Sequence, residues 1–207
     1  SVYGYIDGRL IVSIHQDWTL GGGAYPAGSL LAVDVPGLLE PASTGRSGAV
    51  VEVLYTPKDR QALDRDQIAV TESRVVAVMY DNVRGSLVTF DRGAGGWTLQ
   101  TYECLDNAAV TLGAVADEGD GVFFTEETFT TPTRLRYAPL KYAKATTIKT
   151  LPARFDASTH VVEQKEAVSK DGTKIPYFIV HPKGHKHDGQ DPTLLHAYGG
   201  FQVSKTP

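Results

Sequence analysis

The chain repeats one strand pattern three times, and this repetition limits the folds open to it more than any other feature. Each round begins with an apolar strand, continues through a polar turn or loop and returns in an amphipathic strand. The rounds read RLIVSI…GSLLAVDV, RVVAVMY…GSLVTFDR and GVFFTEE…PTRLRYAPL. Four short strands in roughly 40 to 50 residues is the period of β-propeller blades. No stretch shows sustained helical periodicity, so the sequence predicts a mainly β chain with about three four-stranded blades.

Glycine, proline and polar clusters place the turns between these strands. Gly21-Gly22-Gly23 predicts a loop, and residues 36–48 predict a surface loop rich in Pro, Gly and Ser. Residues 58–64 are polar and predict one helical turn at most. The predicted strands share apolar or alternating residues and cover residues 8–14, 29–35, 49–55, 67–70, 74–80, 86–90, 97–102, 108–115, 121–125, 134–137 and 144–151.

Three blades do not close a ring, since propellers typically use about four to eight. An open arc leaves its two terminal sheets with exposed surfaces, and unclosed sheet surfaces invite pairing. We therefore expect this chain to self-associate through these surfaces or to be marginally stable.

Composition excludes several classes of partner. A net charge of -4 and a pI near 5.8 provide no basic field for nucleic acid or an anionic membrane surface. No apolar run approaches the roughly 18 residues of a membrane span. Cys104 is the only cysteine, which excludes an intrachain disulfide and a thiolate metal cluster. We expect no cofactor, and the localisation stays open between cytoplasm and periplasm.

The last fifth of the chain has a different pattern from the rest. Lys170-Asp171-Gly172 is a turn signal, since Asp and Gly tolerate the positive φ of tight hairpins. Residues 161–168 and 175–180 predict the two strands of that hairpin. Residues 193–198 predict a short buried strand, and Gly199-Gly200 would let its backbone approach another group closely. A strand that runs into such a loop is typical of the oxyanion loop of α/β-hydrolases.

The segments SKDGTKIPYFIVHPKG and LLHAYGGFQVSKTP, in this order, resemble the prolyl oligopeptidase family of serine peptidases. They are similar to the point where the β-propeller of that family returns the chain to its catalytic α/β-hydrolase domain. The resemblance implies a partial β-propeller at residues 1–156 and the first strands of the peptidase domain at residues 157–207. It also implies an internal fragment of a monomeric enzyme that cleaves short proline-containing peptides, with the propeller restricting access to the active site.

The resemblance implies a role for two residues of the YGGF segment. Tyr198 would donate its hydroxyl to the tetrahedral oxyanion, because a phenol gives a strong, directional hydrogen bond without carrying charge. Without the resemblance, Tyr198 would be interpreted as a half-buried tyrosine at a strand end. Phe201 would line the pocket for the substrate proline, or else be an ordinary core phenylalanine. The family's Ser, Asp and His follow later in its sequence, and no Gly-x-Ser-x-Gly occurs in this chain, so we expect the chain alone to be inactive.

Two further functions remain open. One is an oligopeptidase of the same architecture with a different residue preference, against which Gly199-Gly200-Phe201 argues. The other is a propeller interaction module without peptidase chemistry. The loop HPKGHKHDG holds His181, His185 and His187, but its prolines and glycines predict a mobile hairpin tip without fixed ligand geometry. We therefore assign no metal site.

Overall fold

The computed structural model describes residues 1–39, 48–116, 118–199 and 206. In this part of the chain, three four-stranded antiparallel sheets follow one another, and a two-stranded hairpin comes after them. This arrangement confirms the predicted mainly β fold with a partial propeller of three blades. The interpretation of the last residues as the start of a hydrolase domain stays a prediction.

Each sheet is formed by strands that are close in sequence, as expected for propeller blades. The strands of blade 1 are β1 (Val2–Ile6), β2 (Arg9–Ser13), β5 (Leu30–Asp34) and β6 (Val51–Tyr55). Those of blade 2 are β7 (Gln61–Val70), β8 (Arg74–Asp81), β9 (Arg84–Gly93) and β10 (Gly96–Thr101). Those of blade 3 are β11 (Ala109–Val115), β12 (Val122–Glu127), β13 (Arg134–Ala138) and β14 (Thr146–Thr150).

Strand β8 lies in the middle of the hydrophobic core and is buried on both faces. Val75 and Ala77 belong to a cluster with residues of blade 1, whereas Val76 and Val78 belong to a cluster with residues of blade 3. Successive side chains of a strand point to opposite faces. One continuous apolar strand therefore supplies both interfaces between the blades.

The inner strands β1 and β7 approach each other closely at Gly4. A Cβ atom at Gly4 would lie 2.9 Å from Cβ of Val70, which is too short for two carbon atoms. Glycine is therefore needed here for steric reasons. Strand β1 was not predicted, because glycine in VYGYI interrupts the strand pattern.

Polar clusters join the blades at their surfaces. Glu52 of β6 accepts hydrogen bonds from Arg9 at 3.0 Å, from Arg92 at 2.9 Å and from Trp97 at 2.8 Å. The Arg92 hydrogen bond is the main reason that the pKa of Glu52 falls from 4.5 to about 2, and Trp97 and Arg9 lower it further against the opposing effect of partial burial. Glu52 thus connects blade 1 to blade 2 as a carboxylate.

Asp120 plays the corresponding part between blades 2 and 3. Its carboxylate accepts hydrogen bonds from Thr71, Ser73 and Arg74, all at the β7–β8 connection. Partial burial raises its pKa, but the hydrogen bonds from Ser73 and Thr71 and the Arg74 charge outweigh this effect, so the pKa is lowered.

One prediction about the first half of the chain was wrong. Gly23 begins a strand, and β3 (Trp18–Leu20) pairs with β4 (Gly23–Tyr25) in place of the predicted loop. This small hairpin packs on Leu31 and Val33 and so covers the outer face of blade 1. Residues 58–64 were predicted to form one helical turn at most, and they form none, since β7 already begins at Gln61 and pairs with β8. The predicted loop at 36–48 begins with a short helix, α1 (Val35–Leu39), and residues 40–47 lie outside the described ones.

The C-terminal part begins with a 3₁₀ turn at Ala157–Thr159, which Asp156 caps through the backbone N–H of Ser158. Strands β15 (His160–Val168) and β16 (Lys174–Pro182) then form the predicted hairpin. Its turn is closed by Gly172 at φ 86°, a conformation that favours glycine. Among the described residues, no helix combines the length and the apolar character that a membrane span needs.

Candidate functional site

The hairpin β15–β16 contacts the blades at one end of their sheets. The side chain of Gln164 accepts a hydrogen bond from Arg84 Nε at 2.6 Å and donates one to the carbonyl of Asn82 at 2.6 Å. Arg60, just before β7, pairs with Glu166. Phe178 of β16 lies 5.4 Å, between ring centroids, from Phe129 in the β12–β13 loop. The hairpin is therefore attached to blades 2 and 3 at three connections, β6–β7, β8–β9 and β12–β13.

A polar cavity of about 670 Å³ lies between Gln164 and the blade connections. Arg84, Asp106 and Asn107 line it, and Arg84 Nη1 lies 3.4 Å from Asp106 Oδ1. Burial raises the pKa of Cys104, which also lines the cavity. Cys104 therefore stays a thiol at neutral pH and is a poor nucleophile.

The turn above this cavity has an unusual backbone. Asn82 and Val83 have φ of 48° and 63°, as the tight β8–β9 turn requires. Asparagine tolerates this conformation, but a β-branched valine rarely adopts it. The cavity wall is thus built on a strained turn, and the contact of Gln164 with the Asn82 carbonyl holds that turn from the hairpin side.

The structure places the predicted oxyanion residue outside regular secondary structure. Residues 192–199 form neither strand nor helix, so the predicted strand at 193–198 is wrong. Leu194 and Leu195 are 93% and 88% exposed, and Tyr198 is 52% exposed. A buried strand needs neighbouring strands and covering layers, and the described residues provide neither for this segment. Phe201 and Gly200 lie outside the described residues, so their predicted roles stay predictions.

Known proteins match this chain over almost its entire length. No protein-family model matches the chain. An uncharacterised peptidase of Sinorhizobium fredii is 36% identical over 205 residues, which are 99% of this chain and 27% of that protein. An uncharacterised peptidase of Rickettsia prowazekii is 37% identical over 196 residues, 94% of this chain and 26% of the relative. A post-proline cleaving enzyme from Rickettsia typhi has 33% sequence identity and a TM-score of 0.80, over 100% of this chain and 29% of that structure.

The chain belongs to the prolyl oligopeptidase family. It spans about a quarter of the length of the relatives that it matches. The match to the Rickettsia typhi structure includes both the blades and the hairpin. The three sheets and the β15–β16 hairpin therefore share their fold with that structure.

Strand β16 and the loop after it bring together the three histidines that were predicted to lie in a mobile hairpin tip. Ring centroids of His181, His185 and His187 lie 4.9–5.4 Å apart. Glu163 of β15 joins them, with Oε2 at 3.6 Å from His181 Nε2. Sequence reasoning missed Glu163, although the predicted turn fixes the register: Val161 faces His181 and Glu163 faces Ile179. Glu163 and His181 are then diagonal neighbours on one face of the hairpin.

Proposed function

We propose that this chain is part of a serine peptidase that cleaves short peptides after proline. The observation that carries the proposal is the similarity, along the entire chain, to a protein described as a post-proline cleaving enzyme. The YGGF segment, which resembles the oxyanion loop of the family, supports the same reaction. The nucleophile belongs to another part of the protein, because no Gly-x-Ser-x-Gly occurs here.

Tyr198 is the catalytic residue that we assign to this chain. In acyl transfer a negative charge develops on the carbonyl oxygen, and an uncharged hydroxyl donor stabilises it without a desolvated cation beside it. Tyr198 is 52% exposed and lies in a segment without regular secondary structure. Phe201 is proposed to pack its ring against the flat pyrrolidine of the substrate proline.

The blades are proposed to act as a filter in front of the active site. The polar cavity between Gln164 and the blade connections lies on the side of the blades that carries the hairpin. A narrow entrance on this side would admit short peptides and exclude folded proteins. Substrates would therefore be short proline-containing peptides.

The first experiment replaces Tyr198 with Phe in the full-length protein and measures turnover of a blocked Gly-Pro chromogenic peptide. Loss of one oxyanion donor costs about 100-fold or more in kcat, with little change in KM. Tyr177→Phe is the matched control, since Tyr177 is an exposed tyrosine of the hairpin. Equal activities of the two variants would remove Tyr198 from the mechanism.

The same assay separates the alternatives. A fluorophosphonate probe should label the full-length protein and leave the 207-residue chain unlabelled. Turnover of reporters with basic or other residues in place of proline would assign the protein to an oligopeptidase with a different preference. A full-length protein that ignores every reporter and the probe would be an interaction module and not an enzyme.

A further inference from the structure

The imidazole of His181 lies in an arrangement that leaves one nitrogen available to a cation. Its Nδ1 lies 2.9 Å from the carbonyl oxygen of Pro182, which only accepts hydrogen bonds, so Nδ1 carries the proton. In the neutral ring, Nε2 is then an acceptor with a free lone pair. That atom is buried and has no hydrogen-bond partner among the described residues, and the side chain as a whole is 13% exposed.

The group facing this lone pair is a carboxylate. Glu163 Oε2 lies 3.6 Å from His181 Nε2, and two acceptors at this distance are stabilised by a cation between them or close by. The Lys165 ammonium contacts Glu163, and the lone pair of His181 Nε2 stays without a partner among the described residues. His187 offers a third ligand atom, and the three ligand atoms of Glu163, His181 and His187 lie within 4.8 Å of one another. We propose that Glu163, His181 and His187 bind a divalent transition metal ion, with Zn²⁺ as the best match.

The donor set and its surroundings fit zinc better than calcium or magnesium. Two imidazoles and a carboxylate are common zinc ligands, whereas calcium and magnesium prefer oxygen ligands alone. The Pro182 carbonyl that holds the Nδ1 proton of His181 is the kind of second partner that orients metal-binding histidines. His187 is exposed, so it can close the remaining gap to the ion by a side-chain rotation.

His185 lies beside the three proposed ligands and contacts Asp191. Its Nδ1 lies 3.2 Å from Asp191 Oδ2, which orients the ring, and its ring centroid lies 4.9 Å from that of His187. Its ring lies beside the three ligands but is not one of the group whose ligand atoms lie within 4.8 Å of one another, so a fourth coordination position is left to water. Lys165 is the competing cation: its Nζ lies 2.7 Å from Glu163 Oε2, and its hydrogen bond lowers the pKa of Glu163. A metal ion must displace this ammonium from Glu163.

Binding would tie the loop after β16 to β15, directly before the segment that carries Tyr198. The site does not depend on the proposed peptidase function, because its ligands all lie in the hairpin and the loop after it. It can be tested on the chain itself without any catalytic readout.

The test is a Co²⁺ titration of the untagged chain, followed by visible absorption, with Zn²⁺ then added to displace Co²⁺. We expect one equivalent bound, with the intense bands of tetrahedral Co²⁺. Glu163→Gln, His181→Gln and His187→Gln should each weaken binding by at least about tenfold. Lys165→Gln should strengthen it, because the competing ammonium is gone. His160→Gln, a histidine of the same hairpin outside the cluster, should leave binding unchanged.

The variants also distinguish a built site from loose chelation by the histidine-rich loop. Glu163→Gln keeps the shape of the side chain, so loss of binding with an unchanged circular dichroism spectrum supports the site. Binding that survives Glu163→Gln and His181→Gln and disappears only when His185 or His187 is replaced would overturn the proposal. An absence of bound metal in the wild-type chain would overturn it as well.

Discussion

Strands β8 and β16 both have the apolar residues typical of strands, yet they lie in very different surroundings. Val75, Val76, Ala77 and Val78 of β8 are completely buried between two other blades. Ile175, Tyr177 and Val180 of β16 remain 50%, 40% and 43% exposed, and β16 has one partner strand. Strand propensity is therefore a property of the local pattern, whereas stabilisation comes from the layers that cover the strand.

The residues that stabilise the fold and the residues with a proposed function therefore lie in different parts of the chain. The three blades contain the buried apolar clusters, and each blade interface adds a polar cluster at its surface. The hairpin and the segment after it carry Tyr198 and the histidine cluster, but they bury little apolar surface. We expect changes in the blades to alter global unfolding and changes in the C-terminal part to alter local order.

The largest expected effect on stability comes from Phe124→Ala in the interface between blades 2 and 3. Phe124 is fully buried, and the Arg136 guanidinium lies 5.7 Å from its ring centroid. Removing a buried phenylalanine ring costs about 3–5 kcal/mol, since the packing is lost and a cavity remains. Urea unfolding measures the loss. Tyr177→Ala in the hairpin should cost less than about 1 kcal/mol, and equal losses would contradict the contrast between the two parts.

A smaller effect concerns Glu52, which connects blades 1 and 2. Its pKa is lowered to about 2 from 4.5, so the stabilisation is complete above pH 4.5 and is lost as the pH falls from 4.5 towards 2. Glu52→Gln should lower the free energy of unfolding by about 1–3 kcal/mol at pH 7, because Arg9 and Arg92 lose their charged partner. The difference between wild type and variant should shrink below pH 4.5.

Wild type and Glu52→Gln must be compared at each pH, because other carboxylates with a lowered pKa also reduce the stability of the chain in acid. The pKa of Asp120 is also lowered, so the wild-type chain loses stability in acid for more than one reason. Unfolding curves of wild type and Glu52→Gln at several pH values isolate the contribution of Glu52. A difference that stays constant from pH 7 to pH 3 would show that Glu52 does not act as a carboxylate.

Most of the blade strands could be predicted because their pattern is local. Continuous or alternating apolar residues between turn signals suffice for β2, β5, β8 and β9. Strand β1 and the first half of β7 were missed for a different reason. Gly4 is needed for the approach of Val70 from another blade, and polar residues at the start of β7 are held in a strand by pairing with β8. Both depend on contacts between segments distant in sequence.

In the candidate sites, too, features set by the local sequence were predicted, and features set by distant contacts were not. The hairpin and its turn at Gly172 were predicted from the turn residues. The register that follows from this turn places Glu163 diagonally beside His181. The prediction of a buried strand at residues 193–198 was wrong. A buried strand needs neighbouring strands, and these are not among the described residues. The assignment of Tyr198 came from resemblance, and its oxyanion role stays a prediction until the activity of Tyr198→Phe is measured.

The smallest expected effect tests how the hairpin is attached to the blades. Gln164→Ala removes the hydrogen bonds to Arg84 and to the Asn82 carbonyl, both of which lie outside the buried clusters. Each such bond contributes about 1 kcal/mol at most at a partly exposed site, so global unfolding should change little. Hydrogen exchange of the β15–β16 amides should become faster, because local opening of the hairpin needs less free energy.

Gln190→Ala is the control for this substitution, since Gln190 is an exposed glutamine in the loop after the hairpin. If exchange in β15–β16 is unchanged in Gln164→Ala, the Phe129–Phe178 contact and the Arg60–Glu166 pair are sufficient to hold the hairpin. The two parts of the chain would then be coupled more tightly than their burial indicates. If exchange accelerates in the hairpin alone, the blades unfold as a unit that does not require it, and a few polar contacts set the position of the segment that carries Tyr198.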